Sequence, residues 1–378
     1  MKVRSLLVLL LCVILALASS CVPHQAAPRT AAPSVTPFAS PSPTPLPTLS
    51  PSPSPSPTPE PYTVADFMPL ENIFLSYVEP STNRTFDSYV EFIINNEKKP
   101  ILQRRTVSAS GPLYVEVFCC IDGEYRLEYK QSNVGYTFDF TGKTNEASQV
   151  LLKEPIVVNN SWPVKDGIST ITSIDYELSI PLGTFKAVEV TTQYDTGSTQ
   201  KRYFLAGLGL VAEYHSDANG TIDSYYEASV RETDKAFVQN IRFFYADQTD
   251  NSIKYKMVQI PLTPDISARS VFKEYLSTKR PSGSTLIPMS SSVNIRSIKL
   301  GKNTVTVDFS QELVTQMQLS HKNERTFLQA LANTFGEYYQ KDNVVLTIEG
   351  QTYQSRFITL LDGDSFRVNI SQASRYDG

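Results

Sequence analysis

The chain has 378 residues, with 34 Lys and Arg against 38 Asp and Glu, a formal net charge of −4, and three His and one Trp beside 20 Tyr and 19 Phe. That balance excludes the basic surface of a nucleic-acid binder. Four Cys without a CxxC or a Cys/His cluster exclude a disulfide framework and a zinc site. The length exceeds ordinary single-domain priors, and plentiful Tyr, Phe, Thr and Ser favour strands over helices.

Lys2 and Arg4 precede an apolar run from Leu6 to Leu17, which ends in Ala18-Ser19-Ser20 before Cys21. An apolar core of about a dozen residues is too short for a ~30 Å hydrocarbon layer, and its flanks are those of a secretory signal over 1–20. A Cys directly after small residues resembles a bacterial lipobox, although Ala18 stands where Leu is usual and Leu17 sits one step earlier. The resemblance implies a diacylglycerol-bearing Cys21, with the mature chain anchored at the extracytoplasmic face of the bacterial membrane. Cleavage of an ordinary secretory signal near Ser20 is the alternative.

Residues 21–62 hold most of the chain's 25 prolines, densest in the PSPSPSPTP run at 51–59. Proline fixes φ and removes the backbone donor, so this tether builds neither helix nor sheet. In polyproline II it reaches on the order of 100 Å from the lipid. Acidic side chains outnumber basic ones over 21–237, and the reverse holds over 238–378, which points to two folded units.

Over 63–236, alternating runs predict strands at 89–94, 113–118, 124–129, 136–140, 168–176, 186–193 and 201–205. Turn signals separate them at Asp122-Gly123, Pro181-Leu182-Gly183, Asp195-Thr196-Gly197 and Asn219-Gly220. The expectation is an all-β antiparallel domain, a curved sheet or half-barrel. Leu151 to Pro155, Trp162, Pro181 to Phe185, and the Gly-rich Tyr203 to Val211 look like a β domain of bacterial lipoproteins. Trp162 reads as a core anchor. Cys119 and Cys120, neighbours on a strand, point to opposite faces and read as small strand residues, with a strained vicinal disulfide or an intermolecular bridge as the alternatives.

The pattern changes over 237–371. Strands are predicted at 241–245 and 254–262, then a helix opening at Pro264-Asp265 with Ala268, Val271, Phe272 and Tyr275 on one stripe. Strands at 293–300 and 305–309 flank a Gly301-Lys302-Asn303 turn, and Ser310 is the expected N-cap of a helix from Gln311-Glu312. A longer helix carries Leu328, Leu331, Ala332, Phe335 and Tyr339 and leads into a strand at 344–350. The order β-β-α-β-β-α-β describes a compact α+β sandwich with helices on one face of a small sheet. Residues 372–378 are left as a tail.

This second unit resembles the sporulation and germination domain called GerMN. The resemblance is carried by Phe243-Phe244-Tyr245, by Ser282 through Leu286-Ile287-Pro288, by Val305-Thr306-Val307-Asp308-Phe309-Ser310, and by Ala330 to Phe335 leading to Val344–Gly350. Thr278 to Pro281 and Asn333 to Gly336 depart from the family's usual turn and helix wording. The resemblance implies a ring-building-type α+β fold and a role in spore envelope assembly or germination. It gives Pro288, Val307, Asp308, Ser310 and Thr334 as structural motif positions rather than catalytic ones.

No nucleophile and base can be paired by spacing. Asp308-Phe309-Ser310 reads as a strand end and a helix cap, and His215 and His321 lie far from it in sequence. Asp362-Gly363-Asp364 reads as a turn, and no phosphate-binding or HExxH motif occurs. The expectation is a non-enzymatic, cofactor-free envelope lipoprotein. Its partners are the membrane, through the lipid, and other envelope or sporulation proteins, self-association included. The alternative is a lipoprotein whose β domain binds a lipid or cell-wall ligand; a hydrolase is a distant third.

Overall fold

The computed structural model describes residues 61–264, 266–281, 283–317 and 319–377. The signal segment, Cys21, the tether up to residue 60, and the motif and helix-opening positions Ser282 and Asp265 lie outside them. The first unit contributes twelve strands to one antiparallel sheet: β1 (Ile73–Glu79), β2 (Arg84–Ile94), β3 (Ile101–Ser108), β4 (Gly111–Ile121), β5 (Glu124–Ser132), β6 (Gln149–Lys153), β7 (Ser161–Val164), β8 (Gly167–Ile180), β9 (Gly183–Tyr194), β10 (Thr199–Leu205), β11 (Gly209–Ser216) and β12 (Ile222–Thr233).

The sheet order is β6-β5-β4-β3-β2-β1-β12-β11-β10-β9-β8-β7. The chain therefore starts mid-sheet, walks by hairpins to the β6 edge, crosses to the β7 edge, and walks back until β12 pairs with β1. Register shifts on several strands, among them Val90/Phe92 on β2 and Val117/Phe118 on β4, add the bend that curls so wide a sheet. The two edges come together without forming a ladder. Trp162 Nε1 on β7 donates to the Val150 carbonyl on β6 at 3.3 Å, and Asn160 Nδ2 donates to the Lys153 and Pro155 carbonyls at 2.9 Å each. Trp162 is buried in the inner core, as its expected anchoring role requires.

Tight turns make the meander possible. Asp122 and Gly123 both take positive φ, 51° and 70°, which a two-residue hairpin loop demands. Gly207 and Gly209 do the same at 71° and 77° in the β10–β11 turn. Tyr125 on β5 meets Phe204 on β10 with ring centroids 6.3 Å apart, although the two strands are distant in sheet order. Their shared face is therefore the inner one of a near-barrel.

The second unit comprises β13 (Phe237–Ala246), β14 (Ile253–Leu262), α1 (Ala268–Ser277), β15 (Ile295–Leu300), β16 (Thr304–Phe309), α2 (Glu312–Thr315), α3 (His321–Tyr338), β17 (Asn343–Ile348) and the short β18 (Gln351–Thr352), β19 (Phe366–Arg367) and β20 (Ser374–Arg375). It is the α+β domain expected. Its strands fall in two small sheets rather than one: β13-β14-β20, and β15-β16-β17-β18 with β19 against β17. β16 and β17 run parallel, joined through α3. Both flanks of α3 are covered, so its C-terminal half is buried nearly all round, including Asn333, Thr334 and Gly336. An added Cβ at Gly336 would lie 2.1 Å from Val368 Cγ2, so the close approach of the segment after β19 to α3 favours glycine there.

Three local expectations are corrected. Residues 136–140 form no strand; their alternation is real, but side chains rather than a ladder satisfy the backbone. The first helix begins at Ala268 after Ser267, not at Pro264. Ser310 does not cap α2 with its side chain: Gln311 precedes the helix in an α conformation, and the Ser310 hydroxyl accepts the Asn294 N–H at 2.9 Å. A true cap occurs one helix later, where Ser320 Oγ accepts from the Asn323 N–H.

Candidate functional site

The motif positions of the second unit work as ties. Thr334 on α3 is fully buried. Its hydroxyl donates to the Ala330 carbonyl and accepts the Phe244 N–H of β13, each at 3.0 Å, so one side chain fastens the helix to the first small sheet. Asp308 at the end of β16 accepts from Thr347 Oγ1 and the Gly350 N–H through Oδ1, both at 2.7 Å, which fixes the turn after β17. Val307 is wholly buried beneath that strand pair. Pro288 lies between Ile287 and Met289, whose N–H groups donate to the Ala246 and Leu276 carbonyls. A proline fits there because neighbours supply the pinning donors. Ser310 ties the start of β15 to the end of β16. These five residues do not converge on a cavity.

The groups considered for chemistry are engaged elsewhere. His215 Nε2 on β11 contacts Glu213 Oε1 and Gln200 Nε2, each at 3.1 Å. His321 opens α3 against the Phe357 ring. Asp364 Oδ2 accepts the Leu361 N–H within a turn. Among the described residues no cluster of three His, Cys, Asp or Glu side chains is placed to hold a metal. Cys119 and Cys120 are unbridged and buried, and burial pushes both thiols up to about 12.

The residues that organise the surface were not singled out from the sequence. Arg105 on the outer face of β3 has no solvent exposure. Its Nε donates to Glu91 Oε1 at 2.5 Å, Nη2 donates to the Tyr136 carbonyl at 2.6 Å, and Nη1 donates to the Val134 carbonyl. Gln103 adds Nε2 to Glu91 Oε2 at 2.7 Å and to the Phe138 carbonyl at 2.9 Å, while its Oε1 accepts the Phe140 N–H at 2.7 Å. The segment 134–140 is thus strapped across the outside of the sheet by side chains.

The strap makes the junction with the second unit. Val134, Tyr136 and Phe140, with Val115 and Val117 of β4, belong to the same buried cluster as Phe243, Phe272, Phe335 and Tyr339. Tyr136 meets Tyr339 at 5.4 Å between ring centroids. Tyr338 Oη accepts the Thr137 N–H and donates to Gln239 Oε1, and Gln239 Nε2 donates to the Gly135 carbonyl, all at 2.9 Å. Burial pushes the Tyr338 phenol up to about 12, so it stays protonated as that donor. Beside the junction runs a cleft of about 560 Å³, with Val238, Met257 and the Arg242–Glu337 ion pair on its wall. Val238 and Met257 are each 52% exposed on the outward side of the β13–β14 ribbon. These two apolar side chains next to a fixed ion pair form the candidate interaction surface.

The only hint of this junction in the sequence is the Gln103-Arg104-Arg105 run within a strand, polar where an apolar alternation is expected.

Residues 242–354 match the family model described as Germane: Sporulation and spore germination. The first GerMN domain of the sporulation protein GerM from Bacillus subtilis is similar at 18% identity, covering 34% of this chain and 97% of that one, with a TM-score of 0.27. The tandem GerMN domains of the same protein match at 17% identity over 36% of this chain and 47% of that one, with a TM-score of 0.28. A protein from Bacteroides fragilis described as exported, with a YmcC-like fold, matches at 10% identity over 44% of this chain and 99% of that one, with a TM-score of 0.31. No curated protein matches the chain. The chain carries, at residues 242–354, a GerMN-type domain of the sporulation and germination family.

Proposed function

We propose that this protein is a membrane-anchored lipoprotein of the bacterial cell envelope, acting by protein contact rather than catalysis in sporulation or germination. The observation that carries the reading is the GerMN-type domain at 242–354, standing behind a secretory segment, Cys21 and a proline tether. The polar ties at Thr334, Asp308 and Ser310 serve packing, and the exposed Val238 and Met257 are the surface offered to envelope or sporulation partners, a second copy of the chain included. The shared core supports a single presented body: the β domain covers one side of the GerMN-type domain, and the Val238–Met257 surface stays open beside that junction. Anchoring keeps that body on the extracytoplasmic side, within tether reach of the lipid.

The test is the Cys21→Ala chain in its spore-forming host, with labelled palmitate and spore counts as readouts. Expected are loss of label, release of folded protein, and a fall in spore yield or germination. Released protein with normal spores and germination overturns the reading. Truncation at residue 237 is the wrong test, because it would strip Val115, Val117 and Tyr136 of their cover.

A further inference from the structure

The inner face of the near-barrel opens at one end, between the β1–β2, β3–β4 and β11–β12 turns. There it holds a cavity of about 780 Å³, within the ~300–1,000 Å³ range of small-ligand sites. Strand register decides which side chains face it. Glu79 is opposite Arg84, Phe86 opposite Tyr77, Glu213 opposite Tyr226, and His215 opposite Ser224, so each pair shares the inner face. Phe86 and Tyr226 form the aromatic wall, their ring centroids 5.5 Å apart at 75°, with Tyr77 behind both at 5.1 and 5.6 Å. Tyr114 supplies a further ring from β4, held beneath the Lys130 ammonium at 3.8 Å.

Charge pairs back the wall. Arg202 Nε donates to Glu213 Oε2 at 2.8 Å, and Arg104 Nη2 and Lys130 Nζ donate to the two oxygens of Glu116 at 2.8 and 2.9 Å. Arg104 Nε, buried behind the mouth, has no hydrogen-bond partner among the described residues. At the rim, Arg84 and Glu79 offset each other across β1 and β2, and the Glu213 charge is met by Arg202. Neither sign of charge prevails, which disfavours phosphate and polycations. Charged and phenolic groups on the inner face disfavour an acyl chain. Aromatic faces beside hydroxyl, carboxylate and guanidinium groups suit a ligand with apolar ring faces and a hydroxylated edge.

We propose that this mouth is a binding site for a neutral oligosaccharide, its sugar rings lying on Phe86 and Tyr226 and its hydroxyls meeting the Glu79, Arg84, His215 and Ser224 rim. The site lies in the β domain and is independent of the partner-contact reading of the GerMN-type domain; either can fail alone.

The test uses the full chain with Cys21→Ser to keep it in solution, titrated with chitotetraose and cellotetraose, and with palmitate and inorganic phosphate as competing classes. Saturation transfer to sugar ring protons, with heat of binding for at least one tetrasaccharide, is expected. Ser224→Trp places an indole in the mouth, and Phe86→Leu removes a ring while keeping apolar volume. Each should weaken sugar binding by about tenfold or more, with an unchanged far-ultraviolet circular dichroism spectrum. No transfer to either tetrasaccharide at about 5 mM overturns the proposal. So does binding of palmitate or phosphate in its place, or sugar binding that survives Ser224→Trp in a folded chain.

Discussion

Arg104 and Arg105 are neighbours on β3, yet they stand on opposite faces of the sheet and do different work. Arg105 faces outward, wholly buried, and spends its fork on Glu91 and two strap carbonyls, so the outer pair is a structural lock. Arg104 faces inward over the Phe118 ring, and its partner Glu116 is shared with Lys130. The outer face has become an interior because a second domain covers it. The inner face keeps an opening to water. One strand thus carries two buried ion pairs, of which only the outer is closed on every side, and burial of a charge by itself does not reveal its role.

The strongest way to break this contrast is to remove each guanidinium in turn. Arg105→Met leaves the buried Glu91 charge with only neutral donors such as the Gln103 amide and strips two strap carbonyls of their donor, a loss of about 3–5 kcal/mol. Arg104→Met leaves Glu116 with Lys130, and the cost falls to about 1–2 kcal/mol. Urea denaturation of both variants decides it. Equal losses would mean that the strap is not what distinguishes the faces.

Acid separates the inner networks by another route. Burial pushes the Glu213 carboxyl up, but the His215 hydrogen bond and the Arg202 charge outweigh it and bring it down to about 2. Burial likewise raises Glu116, and Arg104 and Lys130 reverse it, leaving it below the ordinary range. Both pKa values are depressed by folding. Their stabilisation is therefore fully present above the unfolded carboxylate value near ~4.3 and is lost as pH falls toward the folded values. For Glu213 the loss is on the order of 2 kcal/mol between about pH 5 and 2. Stability curves of the wild type and Glu213→Gln should converge as the pH drops; parallel curves would remove Glu213 from the account.

The same asymmetry explains what could be read from sequence. The strands at β2, β4, β5, β8, β9 and β10 show their alternation because one side of each is apolar. β3 hides: ILQRRTVS puts Gln, two Arg and Thr into a strand whose faces are both covered, and the polar run reads as surface. The strap is the complementary error. Val134, Tyr136 and Phe140 are buried at a strand-like spacing, but their backbone partners are Arg105 and Gln103, residues about 30 positions earlier in the chain. No local pattern encodes that choice. The GerMN-type motif was legible because its positions lie on contiguous elements of one small domain. The oligosaccharide mouth was not, since its walls come from β1, β2, β3, β4, β11 and β12, gathered only when β12 closes on β1.

A smaller effect tests the junction itself. Tyr338→Phe keeps the ring against Phe272 and removes one hydroxyl, leaving the Thr137 N–H and Gln239 Oε1 without their partner. The expected cost is about 1–2 kcal/mol, with faster hydrogen exchange confined to 134–140 and the start of β13. Exchange that rises instead around the mouth would show the two faces to be coupled through the sheet.

The adjacent cysteines give the smallest and most symmetrical comparison. Cys119 faces Glu128, with Sγ 3.4 Å from Oε1, while Cys120 sits in the inner core with Phe118 and Tyr125. Opposite surroundings give the same chemistry, because burial is the leading cause of the rise in both thiols, to about 12. At pH 8 the thiolate fraction is then on the order of one in ten thousand. Neither sulfur should react with a thiol reagent until the sheet opens. Labelling should therefore track unfolding in denaturant, with both positions appearing together. If Cys119 labels first under native conditions, the outer side of β4 opens independently of the inner core. The outer lock drawn from Arg105 would then end before it reaches the far half of that strand.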